Sequence, residues 1–292
     1  MNIKMIFLTI ISTVMLSACE SSGPKDPYEF SCADTPSYSP SSAPISYAGS
    51  GSPTTTVIVL HGKSGSPNGS HLVLLYTALQ SAGYDVKALY MPWGTTNWNG
   101  TLCQAMTYVS SLAQTEKDIG KKVVLVGHSM GGAGSLIYNA TASVTQVDAT
   151  ISIAPGHFLH KSNKLQSQTS ASVSIARSMV AAGNGDETDT FQTYNNGAPQ
   201  NVSTTANIFL SYHDLEQYPD IVNNVLGENQ GPLYWIGGDG DNLTTAYGYS
   251  SLFNNYVPSH ANSKYETLSG DHLTVVNNAT SHITSWLESL GL

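Results

Sequence analysis

The sequence predicts an α/β domain: a mostly parallel central sheet flanked by helices, with an inserted cap region. Two observations carry this expectation. Short β-branched apolar runs alternate with helical patterns along the chain, the order that builds right-handed crossovers and a parallel sheet. About 75 residues between Pro155 and Gly231 then break the alternation, too many for a plain connection.

The elements follow in order. Thr54 to Leu60 is an apolar run closed by His61-Gly62 and a Gly/Ser/Pro-rich loop, which reads as a buried parallel strand. A helix over about Ser70–Ala82 ends at Gly83, a residue suited to the C-terminal cap. Asp85 to Tyr90 is a second strand, and Thr101 to Ile119 a longer helix closed by Gly120. Lys122 to Val126 is the clearest strand, bounded by Gly127, and Met130 to Ala140 follows as a helix rich in small residues. Ala149–Ile153, Leu233–Ile236 and Lys264–Leu268 supply three more strands, and Leu273–Leu290 a closing helix. An edge from Ile45 to Ala48 would bring the sheet to seven strands. Active sites in such sheets gather at the carboxyl ends of the strands.

Ahead of the domain, Lys4 precedes an apolar run of about twelve residues, Met5 to Leu16. That run is too short to span a bilayer core of ~30 Å and fits the hydrophobic region of a secretory signal. Leu16-Ser17-Ala18-Cys19 resembles the bacterial lipobox, whose cysteine becomes the lipidated N-terminus; an ordinary signal peptide cleaved nearby is the alternative. The chain then divides into a signal peptide (1–18), a Ser/Pro-rich tether (19–52) and a domain (53–292) with its cap at about 156–231. The expected location is the bacterial envelope, on the periplasmic face of the outer membrane or the cell surface, with the membrane engaged through the N-terminal lipid.

The net charge of −9, with eleven basic residues and no basic patch, argues against nucleic acid as a partner. With Cys19 assigned to lipid, Cys32 and Cys103 remain. Outside the cytoplasm they either form a disulfide that clamps the end of the tether to the domain or stay as separate thiols. No zinc spacing, P-loop or dinucleotide fingerprint is present, so no metal or cofactor is expected.

Gly127-His128-Ser129-Met130-Gly131 matches G-x-S-x-G directly after the strongest strand and at the start of a helix, the placement a nucleophile elbow requires. A serine hydroxyl is a weak nucleophile until a base takes its proton, and histidine is the usual base because its pKa lies near neutrality. His272, in Ser269-Gly270-Asp271-His272-Leu273, sits after the last strand, at the carboxyl edge of the sheet. His61 and His128 belong to backbone motifs, while His71, His260 and His282 have plain surface or core readings. His157, His160 and His213 fall in the cap, where solvated loop positions are favoured over a place in the cleft. The imidazole needs a carboxylate to hold its tautomer. Gly238-Asp239-Gly240-Asp241 offers two; the spacing of three from the glycine favours Asp241, with Asp239 as the alternative acid. Two oxyanion donors are also needed. The amide of Met130 is one, and the amide of Lys63 in His61-Gly62-Lys63 the other; the alternative for Lys63 is a solvated loop lysine.

Together the elbow, the His-Gly-Lys loop, the Gly-Gly-Asp-Gly-Asp loop and the Gly-Asp-His tail resemble the α/β-hydrolase superfamily over roughly Thr54 to Leu292, the cap excepted. Met91-Pro92-Trp93 and Thr204-Thr205-Ala206 add a resemblance to exported bacterial hydrolases of this type. The chain order Ser, Asp, His is the one that resemblance implies. It further implies a serine hydrolase that cleaves carboxylic esters of small molecules or lipids through an acyl-enzyme. The same machinery would serve a thioesterase, an amidase or an acyltransferase. The contrasting reading is an envelope lipoprotein that keeps the fold as a binding module without turnover.

Overall fold

A computed structural model of the protein describes residues 30–94, 98–229 and 231–292. The expected signal peptide, Cys19 and the start of the tether lie outside the described residues. Nine strands are described: β1 (Ile45–Tyr47), β2 (Thr55–Leu60), β3 (Asp85–Leu89), β4 (Lys122–His128), β5 (Ala149–Ile153), β6 (Thr188–Asn195), β7 (Ala198–Thr205), β8 (Leu233–Gly238) and β9 (Lys264–Leu268). Seven form one sheet in the order β1-β3-β2-β4-β5-β8-β9, parallel except for β1, which runs antiparallel to β3. The chain has the α/β-hydrolase fold.

Helices cover both faces, so the central strands are buried throughout, and period two divides their side chains between two cores. Along β2, Ile58 and Leu60 join one core while Val57 and Val59 join the other. Val123 and Leu125 of β4 oppose Val124 and Val126 in the same way. The first core lies against α2 (Leu102–Asp118) and α3 (Met130–Ala140), the second against α1 (Ser70–Ser81). Helix α2 shows how the sequence writes its bounds. Thr101 and Gln104 close a reciprocal capping box, and Leu102, Ala105, Met106, Val109 and Ala113 make the buried stripe.

Three expectations need correction. The domain is expected to start at residue 53, after the tether; the Cys32–Cys103 disulfide, one of the two states open to that pair, ties the segment to the start of α2, and Tyr38 is buried. Tyr38 N–H also donates to Gln104 O at 3.0 Å. These contacts outweigh the solvated composition of the segment and make residues 30–52 part of the domain. The cap was expected to be mixed helix and loop, but it holds α4 (Asn163–Ala181), the β6–β7 hairpin, α5 (Ala206–His213) and short one-turn helices. Finally, β8 is followed by α6 (Asn242–Tyr247) and α7 (Tyr249–Tyr256), which no sequence pattern announced. The closing helix is two pieces, α8 (Thr274–Asn278) and α9 (Thr280–Ser289). Among the described residues no helix is long and apolar enough to cross a membrane.

Candidate active site

The bend between β4 and α3 places Ser129 at φ 57° and ψ −120°, a conformation that L-residues rarely adopt and that costs of order 1–3 kcal/mol. Three hydrogen bonds hold it. Ser129 N–H donates to Ile153 O at 3.0 Å, and Ser129 O accepts from Gly156 at 2.9 Å and Ala133 at 3.1 Å. The flanking glycines are a matter of space. A Cβ on Gly127 would lie 1.9 Å from Gly131 O, and one on Gly131 would lie 2.4 Å from Leu60 O.

From this bend a line of hydrogen bonds crosses three loops. The Ser129 hydroxyl donates to His272 Nε2 at 2.8 Å, and His272 Nδ1–H donates to Asp241 Oδ2 at 2.8 Å. The other oxygen, Asp241 Oδ1, accepts from Leu243 N–H at 2.9 Å, so Asp241 also caps α6. Its side chain is 3% exposed against 25% for His272, so a water-shielded carboxylate meets a more open imidazole. Asp239 has a different place. It is exposed, and its Oδ1 accepts from Gly270 N–H at 2.9 Å, tying the β8 loop to the β9 loop without touching the imidazole.

The loop after β2 packs directly against the serine: a Cβ on Gly62 would lie 2.9 Å from Ser129 Cβ. Among the described residues, neither the Lys63 nor the Met130 amide finds an acceptor within the protein, which leaves both available to a ligand. His61 braces this loop. Its Nδ1–H donates to Gly62 O at 2.8 Å, and its Nε2 accepts from Met91 N–H at 3.1 Å. Burial pushes its pKa down to about 4, so the ring is neutral and keeps that acceptor. Trp93 Nε1–H adds a bond to His61 O at 2.9 Å, which gives the Met91-Pro92-Trp93 segment a structural reason.

The Lys63 side chain does not reach solvent as a loop lysine would. Its ammonium donates to Thr193 Oγ1 at 2.6 Å and Tyr194 O at 3.2 Å and lies 5.3 Å from the Trp98 ring centre. Burial lowers its pKa to about 7. Thr193 Oγ1–H in turn donates to His213 Nε2 at 2.7 Å. The solvated positions expected for His157 and His213 are therefore wrong. Both are buried, with ring centres 5.1 Å apart, and His157 Nε2–H donates to Tyr212 O at 2.7 Å. His160 is half-buried, bonded to Leu215 O.

Sequence reasoning missed two further contributors. His128 is buried and donates from Nε2 to the carbonyl of His272 at 2.8 Å, holding the loop that carries the imidazole. Burial depresses its pKa well below the usual histidine range, so it holds that tautomer uncharged. The tip of the β6–β7 hairpin also lines the cleft through Asn195 and Asn196. Asn196 (φ 47°) and Gly197 (φ 82°) make its turn, and the Asn-Gly pair was the available signal. The cleft they close is a cavity of about 180 Å³. Among the described residues no cluster of His, Cys, Asp or Glu is arranged to hold a metal ion.

Residues 38–248 match the family described as "Protein of unknown function (DUF1749)". Among solved structures, the chain is similar to monoacylglycerol lipase of Paleococcus ferrophilus, with 17% identity, 84% of this chain and 97% of that chain covered, and a TM-score of 0.61. MenH of S. aureus aligns at 14% identity over 86% of this chain and 99% of its own, with a TM-score of 0.58. Est1E of Butyrivibrio proteoclasticus aligns at 17% identity over 85% and 93%, with a TM-score of 0.54. No curated protein matches. At these identities the likeness is one of fold.

Proposed function

The chain belongs to the DUF1749 family, and from that membership and the geometry of its cleft we propose that it is a serine hydrolase of carboxylic esters. The observation that carries the reading is the unbroken line from the Ser129 hydroxyl through His272 to Asp241. In the proposed reaction, His272 Nε2 takes the Ser129 proton as Oγ bonds to the acyl carbon. Asp241 faces the imidazolium that forms, and the amides of Met130 and Lys63 receive the oxyanion. Each such donor is worth about 10²–10³-fold in rate. The proton on Nε2 passes to the departing alcohol, leaving an acyl-Ser129 ester. A water then gives its proton to His272 and its oxygen to the acyl carbon, and the serine is restored as the acid leaves. The similarity to an esterase and a lipase supports an ester as the scissile bond.

The same proposal places the protein at the bacterial envelope, anchored by lipid on Cys19. Two features support export: the signal-like N-terminus, and the Cys32–Cys103 disulfide, a bond that persists in oxidising compartments. One experiment covers both halves. A fluorophosphonate probe added to fractionated cells should label the wild type in the membrane fraction and leave Ser129→Ala unlabelled. Cys19→Ser should move the labelled band to the soluble fraction. A folded wild type that takes no label would refute the catalytic reading, and label that stays with the membranes in Cys19→Ser would refute the anchor.

A further inference from the structure

The cavity above Ser129 holds about 180 Å³, below the roughly 300–1,000 Å³ usual for small-molecule sites. Most of the side chains on its lining carry a polar group. Ser64, His71, Asn195 and Asn196 contribute hydroxyl, imidazole and carboxamide groups, and the one hydrophobic side chain on its lining, Leu273, is half exposed. A long hydrocarbon chain gains its binding energy from apolar wall. This cleft offers such a chain one hydrophobic side chain, Leu273.

The roof is fixed rather than loose. The Lys63 ammonium reaches into the cap to Thr193 Oγ1 and Tyr194 O, and Ser64 Oγ–H donates to Gln200 Oε1 at 3.0 Å on the facing strand. Residues 63 and 64 thereby grip both strands of the hairpin whose tip closes the cleft. Thr193 is itself held by His213, so the grip extends into the cap core. A buried ammonium with hydroxyl, carbonyl and aromatic neighbours and, among the described residues, no carboxylate partner is an expensive way to hold a hairpin.

Resting on the serine hydrolase reading above, we infer that the hairpin, latched to the loop after β2 by Lys63, restricts this site to esters of short acyl groups. Lys63 is a positioning residue through its side chain, distinct from the part its amide takes. The test compares kcat/KM for p-nitrophenyl acetate and p-nitrophenyl octanoate after fluorophosphonate labelling has established Ser129 as the nucleophile. A single methylene in a tight pocket is worth about 10–200-fold, so acetate should exceed octanoate by at least about a hundredfold. Thr193→Val, and independently Lys63→Met, should raise the octanoate-to-acetate ratio at least about tenfold by loosening the roof. A purely structural role would lower both rates together and leave that ratio unmoved, which would overturn the latch. A labelled wild type that prefers octanoate, or that turns over neither ester, would overturn the short-acyl inference while leaving the nucleophile standing. A wild type that takes no label defeats the hydrolase reading, and this inference falls with it.

Discussion

The loops at the carboxyl edge of the sheet and the cap above them both depend on glycine, for opposite reasons. At the edge the requirement is space. A Cβ would strike backbone at 1.9 Å on Gly127, 2.4 Å on Gly131 and 2.4 Å on Gly238. In the cap, Gly183 and Gly231 have nothing within 4 Å, and Gly197 meets only the far end of Tyr194 at 4.0 Å. Those three are glycine because their φ values are positive, at 83°, 74° and 82°. The edge is a fixed frame in which backbone touches backbone; at these three cap turns the backbone stands clear of its neighbours and only its shape is dictated. Chemistry that must be placed to a fraction of an ångström belongs on the frame, and selectivity belongs on the cap.

The sharpest way to break this contrast is to add one methyl group to each region. Gly127→Ala should abolish both soluble expression and fluorophosphonate labelling, because no rotamer removes a contact with the Gly131 carbonyl. Gly197→Ala, at the hairpin tip, should cost only about 1 kcal/mol in urea unfolding and leave labelling intact. Equal tolerance at the two positions would show that the frame is not rigid in the way its packing implies. A smaller and more local effect separates two carboxylates of the frame itself. Asp241→Asn should lower kcat by about 10⁴-fold, since the amide can no longer hold the Nδ1–H tautomer of His272. Asp239→Asn should stay within about tenfold, because an amide oxygen can still accept from Gly270 N–H. If Asp239→Asn proves the more damaging, the carboxylate that orients the imidazole has been assigned to the wrong residue.

The same contrast explains what could be read from the sequence. Frame residues announce themselves because each answers to a local rule. A β-branched run makes a buried strand, Gly-x-Ser-x-Gly fits the only bend that the next helix allows, and Asp241 follows Gly238 by the three residues the turn needs. Even β1, the edge strand paired with β3, was legible in Ile45 to Ala48. Cap residues obey partners far away in sequence. Lys63 reads as a loop lysine until Thr193, 130 positions on, is brought to its ammonium. His157 and His213 read as solvated until α5 folds beneath the hairpin and buries both rings. Tyr38 looked like tether because its binding face, on α2, is written some seventy residues later. The hairpin is the exception that was missed, since Asn196-Gly197 between alternating runs carried a local signal.

The smallest expected effect asks whether the latch between frame and cap is as dry as its geometry requires. Burial brings the Lys63 pKa from an ordinary value near 10.5 to about 7 in the folded protein. Between those values the unfolded chain binds a proton that the folded one does not, so stability rises with pH across that window. The gain is complete above about pH 10.5, is lost as pH falls toward 7, and changes no further below the folded value. The slope from one such group reaches at most about 1.4 kcal/mol per pH unit. Lys63→Met removes the titrating group, so its urea-unfolding free energy should be flatter than wild type between pH 7.5 and 10. Below pH 6.5 the two curves should run parallel, because there the slope comes from neutral buried histidines such as His61, which both proteins share. Curves that stay parallel in the alkaline window as well would mean that water reaches the ammonium, and that the hairpin is held less firmly over Ser129 than the bonds to Thr193 and Tyr194 imply.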